Sequence, residues 1–167
     1  MDALTYAPVG GTQNAVLVAP SGYRASERTT RIGAGAEFWQ FAVHELMTWG
    51  IKRRAGFRVP ALGVRPGDDV TLTFGWGVLS LHEPVRVVQV IDEPRRRGFA
   101  YGTRAGHPIR GEESFIVEHR SDDSVWLTIR SFSRPSSAGW WVLDPLLRIA
   151  QLIVTRRYLR ALAQPIH

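Results

Sequence analysis

The sequence predicts an α+β domain in which one curved antiparallel sheet carries an N-terminal helix and a long C-terminal helix on one of its faces. Three observations carry this reading: a helical apolar period over 36–54, a period of two through most of 57–135, and a helical period again from about 140 or 145 to 162. With 167 residues, 44% of them hydrophobic and six of them tryptophan, the chain can build one substantial core and reads as a single domain, 1–167.

Residues 1–35 are rich in Gly, Pro, Ser and Thr, and Pro8-Val9-Gly10-Gly11 and Pro20-Ser21-Gly22 punctuate them. Residues 1–22 are therefore expected to form an irregular arm that leads into a short strand over 23–32. Trp39, Ala42, Val43, Leu46 and Gly50 follow steps of three and four and share one helix face, with Gly56 as the stop. Val70, Leu72 and Phe74 then alternate with Thr71 and Thr73, as a half-buried strand requires. Further strands are expected at 78–82, 84–92, 97–103, 112–120 and 124–133. The Gly, Pro and Asp pairs between them (Glu93-Pro94, Gly106 to Gly111, Asp122-Asp123) imply antiparallel hairpins and a meander. In the last helix Leu146, Ala150, Ile153, Val154 and Ala161 are read as the side that covers the sheet.

Twenty-one Lys and Arg oppose fifteen Asp and Glu, a formal charge of +6, and Lys52 is the single lysine. The basic clusters, Lys52 to Arg54, Arg95 to Arg97 and Arg156-Arg157, are short and scattered. That scatter reads as solvated surface charge and argues against nucleic acid, which needs a gathered basic face. An anionic membrane surface stays open as a partner, because Trp140-Trp141 ahead of a basic helix has the composition of an interfacial anchor; the plainer alternative packs both rings at the helix start. Without cysteine there is no disulfide, iron-sulfur cluster or thiolate zinc site, which fits a reducing cytoplasm. The first residues lack the pattern of a secretion signal, and no apolar run approaches the roughly 18 residues of a bilayer span.

The segment 101–115 concentrates chemistry: Tyr101-Gly102-Thr103, Gly106-His107-Pro108, then Gly111-Glu112-Glu113-Ser114-Phe115. On an extended backbone Glu113, Phe115, Val117 and His119 point one way, and Glu112, Ser114, Ile116 and Glu118 the other. Glu113 is read as the inward carboxylate because it shares a face with Phe115 and Val117, and Glu112 as outward. Burial would raise the pKa of Glu113, which suits a general acid or base, and His107 at the turn is the second candidate catalytic residue. Tyr101, Thr103 and Phe115 are candidate ligand contacts. Trp126, Thr128, Arg130, Phe132 and Arg134 share a face of their strand, so Trp126 and Arg134 join the candidates, the arginine as a fork for an anionic group. The plainer reading is a tight Gly-His-Pro turn and glutamates paired with Arg104, Arg110 or Arg130. No metal spacing involves His44, His82, His107 or His119. Gly33-Ala34-Gly35 lacks the third glycine and the lysine of a phosphate loop, there is no nucleophile elbow, and no cofactor is expected.

These motifs also carry a resemblance. Tyr101-Gly102-Thr103, Gly106-His107-Pro108 and the Gly111-to-Phe115 run, with 131–135 (Ser-Phe-Ser-Arg-Pro), 155–159 (Thr-Arg-Arg-Tyr-Leu), Leu4-Thr5-Tyr6 and Gly22-Tyr23, resemble an uncharacterised family of unknown function found in bacteria and plants. That resemblance implies no activity and no catalytic residues. The order of elements resembles the helix-grip fold of START-like and Bet v 1-like proteins, and it implies a last helix lying across the concave sheet over a pocket for an apolar ligand. Three functions remain open: binding of a small apolar or amphipathic molecule, a cofactor-free cyclase, dehydratase or hydrolase in the same pocket, and a peripheral protein held to anionic membrane or nucleic acid by arginine charge. The oligomeric state is unknown from the sequence.

Overall fold

The computed structural model describes residues 3–14, 16–60, 62–75, 77 and 80–163. Seven antiparallel strands form one sheet in the order β1-β7-β6-β5-β4-β3-β2. They are β1 (Arg24–Ala34), β2 (Phe57–Arg58), β3 (Asp69–Phe74), β4 (Leu81–Glu93), β5 (Arg96–Thr103), β6 (Ile109–His119) and β7 (Ser124–Pro135). From β3 to β7 consecutive strands are hairpin neighbours, the meander that the turn residues imply. β1 pairs with β7 at one margin and the two-residue β2 closes the other.

The expected strands at 78–82 and 84–92 merge into the single strand β4, with residues 78 and 79 lying outside the described residues. A proline inside a strand reads as a break because it lacks an N–H. Pro84 is tolerated because the ladder to β5 begins only at the next residue, Val85 opposite Thr103.

The expected helix over 36–54 is two helices, α1 (Ala36–Met47) and α2 (Gly50–Arg54), separated by Trp49 in a left-handed conformation with φ of 63°. Trp49 tolerates that conformation because its ring is wedged against Phe99, with centroids 4.8 Å apart. After β7 come a short helix, α3 (Ala138–Val142), and the long α4 (Asp144–Ala161). Phe38, Trp39, Leu46 and Ile51 from the first two helices and Tyr158 and Leu162 from the C-terminal segment share one apolar cluster with Leu72, Phe99, Phe115 and Leu127 of the sheet. The helices therefore cover the concave face.

The convex face is covered too, by the arm. Leu4 bridges Arg104, a single turn of 3-10 helix (Gly11–Gln13) packs on β6, and Tyr6 and Tyr23 both meet the Phe132 ring edge-on. Gly102 permits this close approach, since a Cβ there would sit 2.3 Å from the Tyr6 hydroxyl.

The inward side of α4 keeps Ala150, Val154 and Ala161 of the expected residues and differs at Leu146 and Ile153. Leu147, Ala150, Gln151, Val154 and Tyr158 turn toward the sheet, whereas Leu146 and Ile153 face solvent. The first half of α4 is apolar on both sides, so periodicity alone does not select the buried stripe.

Candidate functional site

The register of β5 and β6 builds the floor. Tyr101 lies opposite Glu113 and Phe99 opposite Phe115, all four on the concave face, while Gly102 and Glu112 lie opposite each other on the convex face. Glu113 thus points inward. Glu112 points away from it but not into solvent: it is buried beneath the arm, where it accepts from the Tyr6 hydroxyl, the Gly10 and Thr12 N–H groups and the Thr12 hydroxyl. The outward glutamate is therefore a structural anchor.

Lys52 enters from α2. The left-handed turn at Trp49 shifts the helical phase so that this side chain runs inward, where it is 1% exposed. Its ammonium donates to Glu113 Oε2 at 3.0 Å and to the hydroxyls of Tyr101 and Tyr158, and the Tyr101 hydroxyl donates in turn to Glu113. The rings of Tyr158, Tyr101, Phe57 and Phe115 surround the ammonium, with centroids 4.4, 4.7, 5.0 and 5.1 Å away. A buried cation needs such a set of acceptors and ring faces to offset its lost hydration. Burial first, and the negative charge of Glu113 after it, pushes both phenols well above their ordinary pKa, so both keep their protons.

Glu83 and His107 form the adjoining wall. Ile109 N–H donates to His107 Nδ1 at 3.1 Å, which leaves the imidazole proton on Nε2, 3.8 Å from Glu83 Oε2. Burial, reinforced by the Lys52 charge, drives the histidine down to about 3, so it is neutral at physiological pH. Burial pushes the Glu83 carboxyl up to about 7; the Lys52 charge opposes this and Glu113 adds to it. The titratable group near neutrality is thus Glu83.

These residues occupy the buried end of a cavity of about 410 Å³ between the concave sheet and α4. Apolar side chains dominate elsewhere, among them Phe57, Phe74, Leu81, Leu147 and Val154, and Arg24 and Arg28 of β1 stand at its exposed margin. Among the described residues no group of three or more His, Asp or Glu side chains is arranged to hold a metal ion.

Of the residues singled out from sequence, Tyr101, Thr103, His107 and Glu113 line this cavity and Phe115 lies beneath Lys52. Thr103 is tied into the chain by Thr5 and by the Gly111 N–H. Trp126 and Arg134 do not reach the cavity, and their expected place in it is corrected. They share a face, but it is the convex one: Trp126 stacks with Arg120 and donates to Ser124, and Arg134 lies over the Tyr23 ring. On the same face Arg130 pairs with Glu27. Lys52, Glu83 and Tyr158 are the site residues that the sequence reading did not single out for chemistry. Two signals were available: the singularity of Lys52 among cationic side chains that are otherwise all arginine, and the place of Tyr158 in the 155–159 motif.

A family model described as "Domain of unknown function (DUF1990)" matches residues 5–161. The chain belongs to this family. A UPF0548 protein of Deinococcus radiodurans is 32% identical over 160 residues, covering 87% of this chain and 79% of that protein. A UPF0548 protein of Arabidopsis thaliana is 26% identical over 141 residues, covering 78% and 67%. Among solved structures, hypothetical protein jhp0584 of Helicobacter pylori superposes with a TM-score of 0.60 at 12% identity over 98% of this chain and 95% of that one. Norcoclaurine synthase of Thalictrum flavum, in complex with dopamine and hydroxybenzaldehyde, gives 0.54 at 12% identity over 90% and 95%. Ara h 8.0201 gives 0.50 at 12% identity over 84% and 99%. At such identity the likeness shows fold alone, and this DUF1990 domain has the helix-grip fold of Bet v 1-like proteins.

Proposed function

We propose that this protein binds a small, largely apolar molecule whose oxygen-bearing end reaches the Lys52, Tyr158 and His107 wall. The observation that carries the reading is the contrast between an apolar cavity and two donors at its buried end. The Tyr158 hydroxyl accepts from Lys52 yet donates to no described residue, and His107 Nε2–H lies 3.8 Å from Glu83, beyond hydrogen-bond length. Two such donors suit a carbonyl or hydroxyl oxygen, while the aromatic walls suit the rest of the ligand. The fold supports a ligand cavity here, since norcoclaurine synthase is described with two small aromatic molecules bound. Calorimetric titration with small aromatic aldehydes, phenols and fatty acids tests the proposal. A saturable complex that weakens roughly tenfold in Tyr158→Phe is expected, the value of about one lost hydrogen bond. Absence of saturable binding across the series, with native mass spectrometry finding no retained molecule, overturns it.

A second reading, cofactor-free proton transfer, rests on Glu83, whose pKa of about 7 populates both acid and base forms at neutral pH. His107, at about 3, is too weak a base for this work and serves as a neutral donor that polarises the same oxygen. Deuterium exchange from solvent into the CH2 group beside the carbonyl of a bound arylacetaldehyde, whose α-proton the carboxylate would remove, checks it. The rate is expected to rise through a pKa near 7 and to vanish in Glu83→Gln; exchange that persists in that variant eliminates Glu83 as the base.

A further inference from the structure

We propose that the outward face of α3 and α4 docks on an anionic membrane surface. Leu146, Ile149 and Ile153 lie at helical steps on the side of α4 opposite the cavity and are 64%, 56% and 46% exposed. Trp141 and Val142 of α3 and Leu143, between the two helices, precede this stripe and are exposed as well, at 53%, 81% and 43%. Monomeric proteins rarely leave so contiguous an apolar patch in water. The stripe continues by the same steps to Arg156 and Arg160, both exposed, so it passes from apolar to cationic along one line. A helix lying in the headgroup plane asks for that sequence: aliphatic side chains and an indole at the acyl boundary, and guanidinium groups against phosphate.

Charge selects this occupant over a second copy of the chain. Anionic headgroups meet the +6 of the molecule and the two arginines of the stripe, whereas a second copy brings a further +6 against them. Docking is peripheral, since among the described residues no helix is long and apolar enough to cross a bilayer. Leu152 is both exposed and part of the cavity lining, so the docked face adjoins the cavity margin. Entry of an amphipathic ligand from the bilayer then follows, a consequence that rests on the binding function proposed above; the docking itself does not.

Flotation of the full chain with vesicles tests the proposal without any cavity ligand. Binding is expected to equimolar phosphatidylcholine and phosphatidylglycerol at low ionic strength, to weaken with added salt, and to be absent with phosphatidylcholine alone. Ile149→Glu, and separately the pair Arg156→Glu and Arg160→Glu, are expected to reduce binding roughly tenfold or more. Because these side chains are exposed, their circular dichroism and thermal midpoints should match the parent. Failure to float with anionic vesicles, or flotation untouched by either variant, overturns the proposal. So does sedimentation velocity in which the parent is a dimer and Ile149→Glu a monomer, since the patch would then be a contact between copies. An empty cavity in the ligand titration would overturn the binding function and leave vesicle flotation unchanged, so the two failures are distinguishable.

Discussion

The Lys52 ammonium donates to the Glu113 carboxylate across 3.0 Å at the buried end of the cavity, with the Tyr101 and Tyr158 hydroxyls completing its shell. An ion pair this deep is a poor source of net stability, but removing one partner leaves the other charge uncompensated. Lys52→Met is therefore expected to cost about 3–5 kcal/mol in a urea titration, and Glu113→Gln a comparable amount. The double variant should cost clearly less than the sum. Additive losses would mean that the two charges do not sense each other.

Glu83 and His107 give stability opposite pH slopes. The folded Glu83 value of about 7 lies above its ordinary 4.5, so the fold favours the protonated form. Its contribution is complete below 4.5 and is lost as pH rises through 7. Glu83→Gln should therefore gain on the parent between pH 4 and 8, by up to about 3 kcal/mol. His107 falls from 6.5 to about 3, so its contribution is complete above 6.5 and lost as pH falls toward 3. His107→Gln should flatten the acid limb only. Chemical denaturation across this range reads both slopes, and a Glu83→Gln curve parallel to the parent's would contradict the burial of that carboxyl.

Glu112 fastens the arm. Glutamine in its place offers one acceptor oxygen and turns an NH2 group toward hydrogen-bond donors, so Glu112→Gln is expected to cost about 3 kcal/mol. Tyr6→Phe, which removes one of the four donated bonds, should cost about 1.5 kcal/mol. Hydrogen exchange at the Gly10 and Thr12 amides should accelerate in both variants, and unchanged protection there would show that the arm is held by other contacts.

The alternation of β6 was legible because Phe115 and Val117 are apolar and Glu113 shares their parity. The same logic misplaced Trp126 and Arg134 for a physical reason: the arm covers the convex face, so buried Phe132 does not mark the concave side. Glu83 was hidden by its neighbour Pro84, which reads as a strand break. Lys52 was hidden by phase. On one continuous helix it falls off the stripe of Trp39, Ala42 and Leu46, and only the left-handed Trp49 brings it inward. A single residue's φ is a tertiary outcome, stabilised by Phe99 from a strand some fifty positions away, and no local pattern encodes it. The helix-grip fold was legible from element order, because helix and strand periods alternate in long blocks whose type survives errors at their ends.

Asp144 latches α4 over the cavity. Its carboxylate takes both oxygens' bonds from Arg24 of β1, at 2.8 and 2.9 Å, and a further one from Arg148 in the next turn of its own helix. The hydrogen bonds from Arg24, more than those from Arg148, hold its pKa below the ordinary carboxylate value of 3.8. The latch is therefore complete above that value and is lost as pH falls below it. Asp144→Asn leaves the helix start intact but removes the charge, and Arg24 then has no anion to hold. Amide exchange over 147–158 should quicken in this variant while the β5 and β6 amides keep their protection. Where a cavity ligand is bound, its dissociation should quicken as well, because α4 forms one wall of the cavity. If exchange in α4 stays at the parent rate, the packing of Val154 and Tyr158 alone holds the helix and the Arg24 contact is incidental.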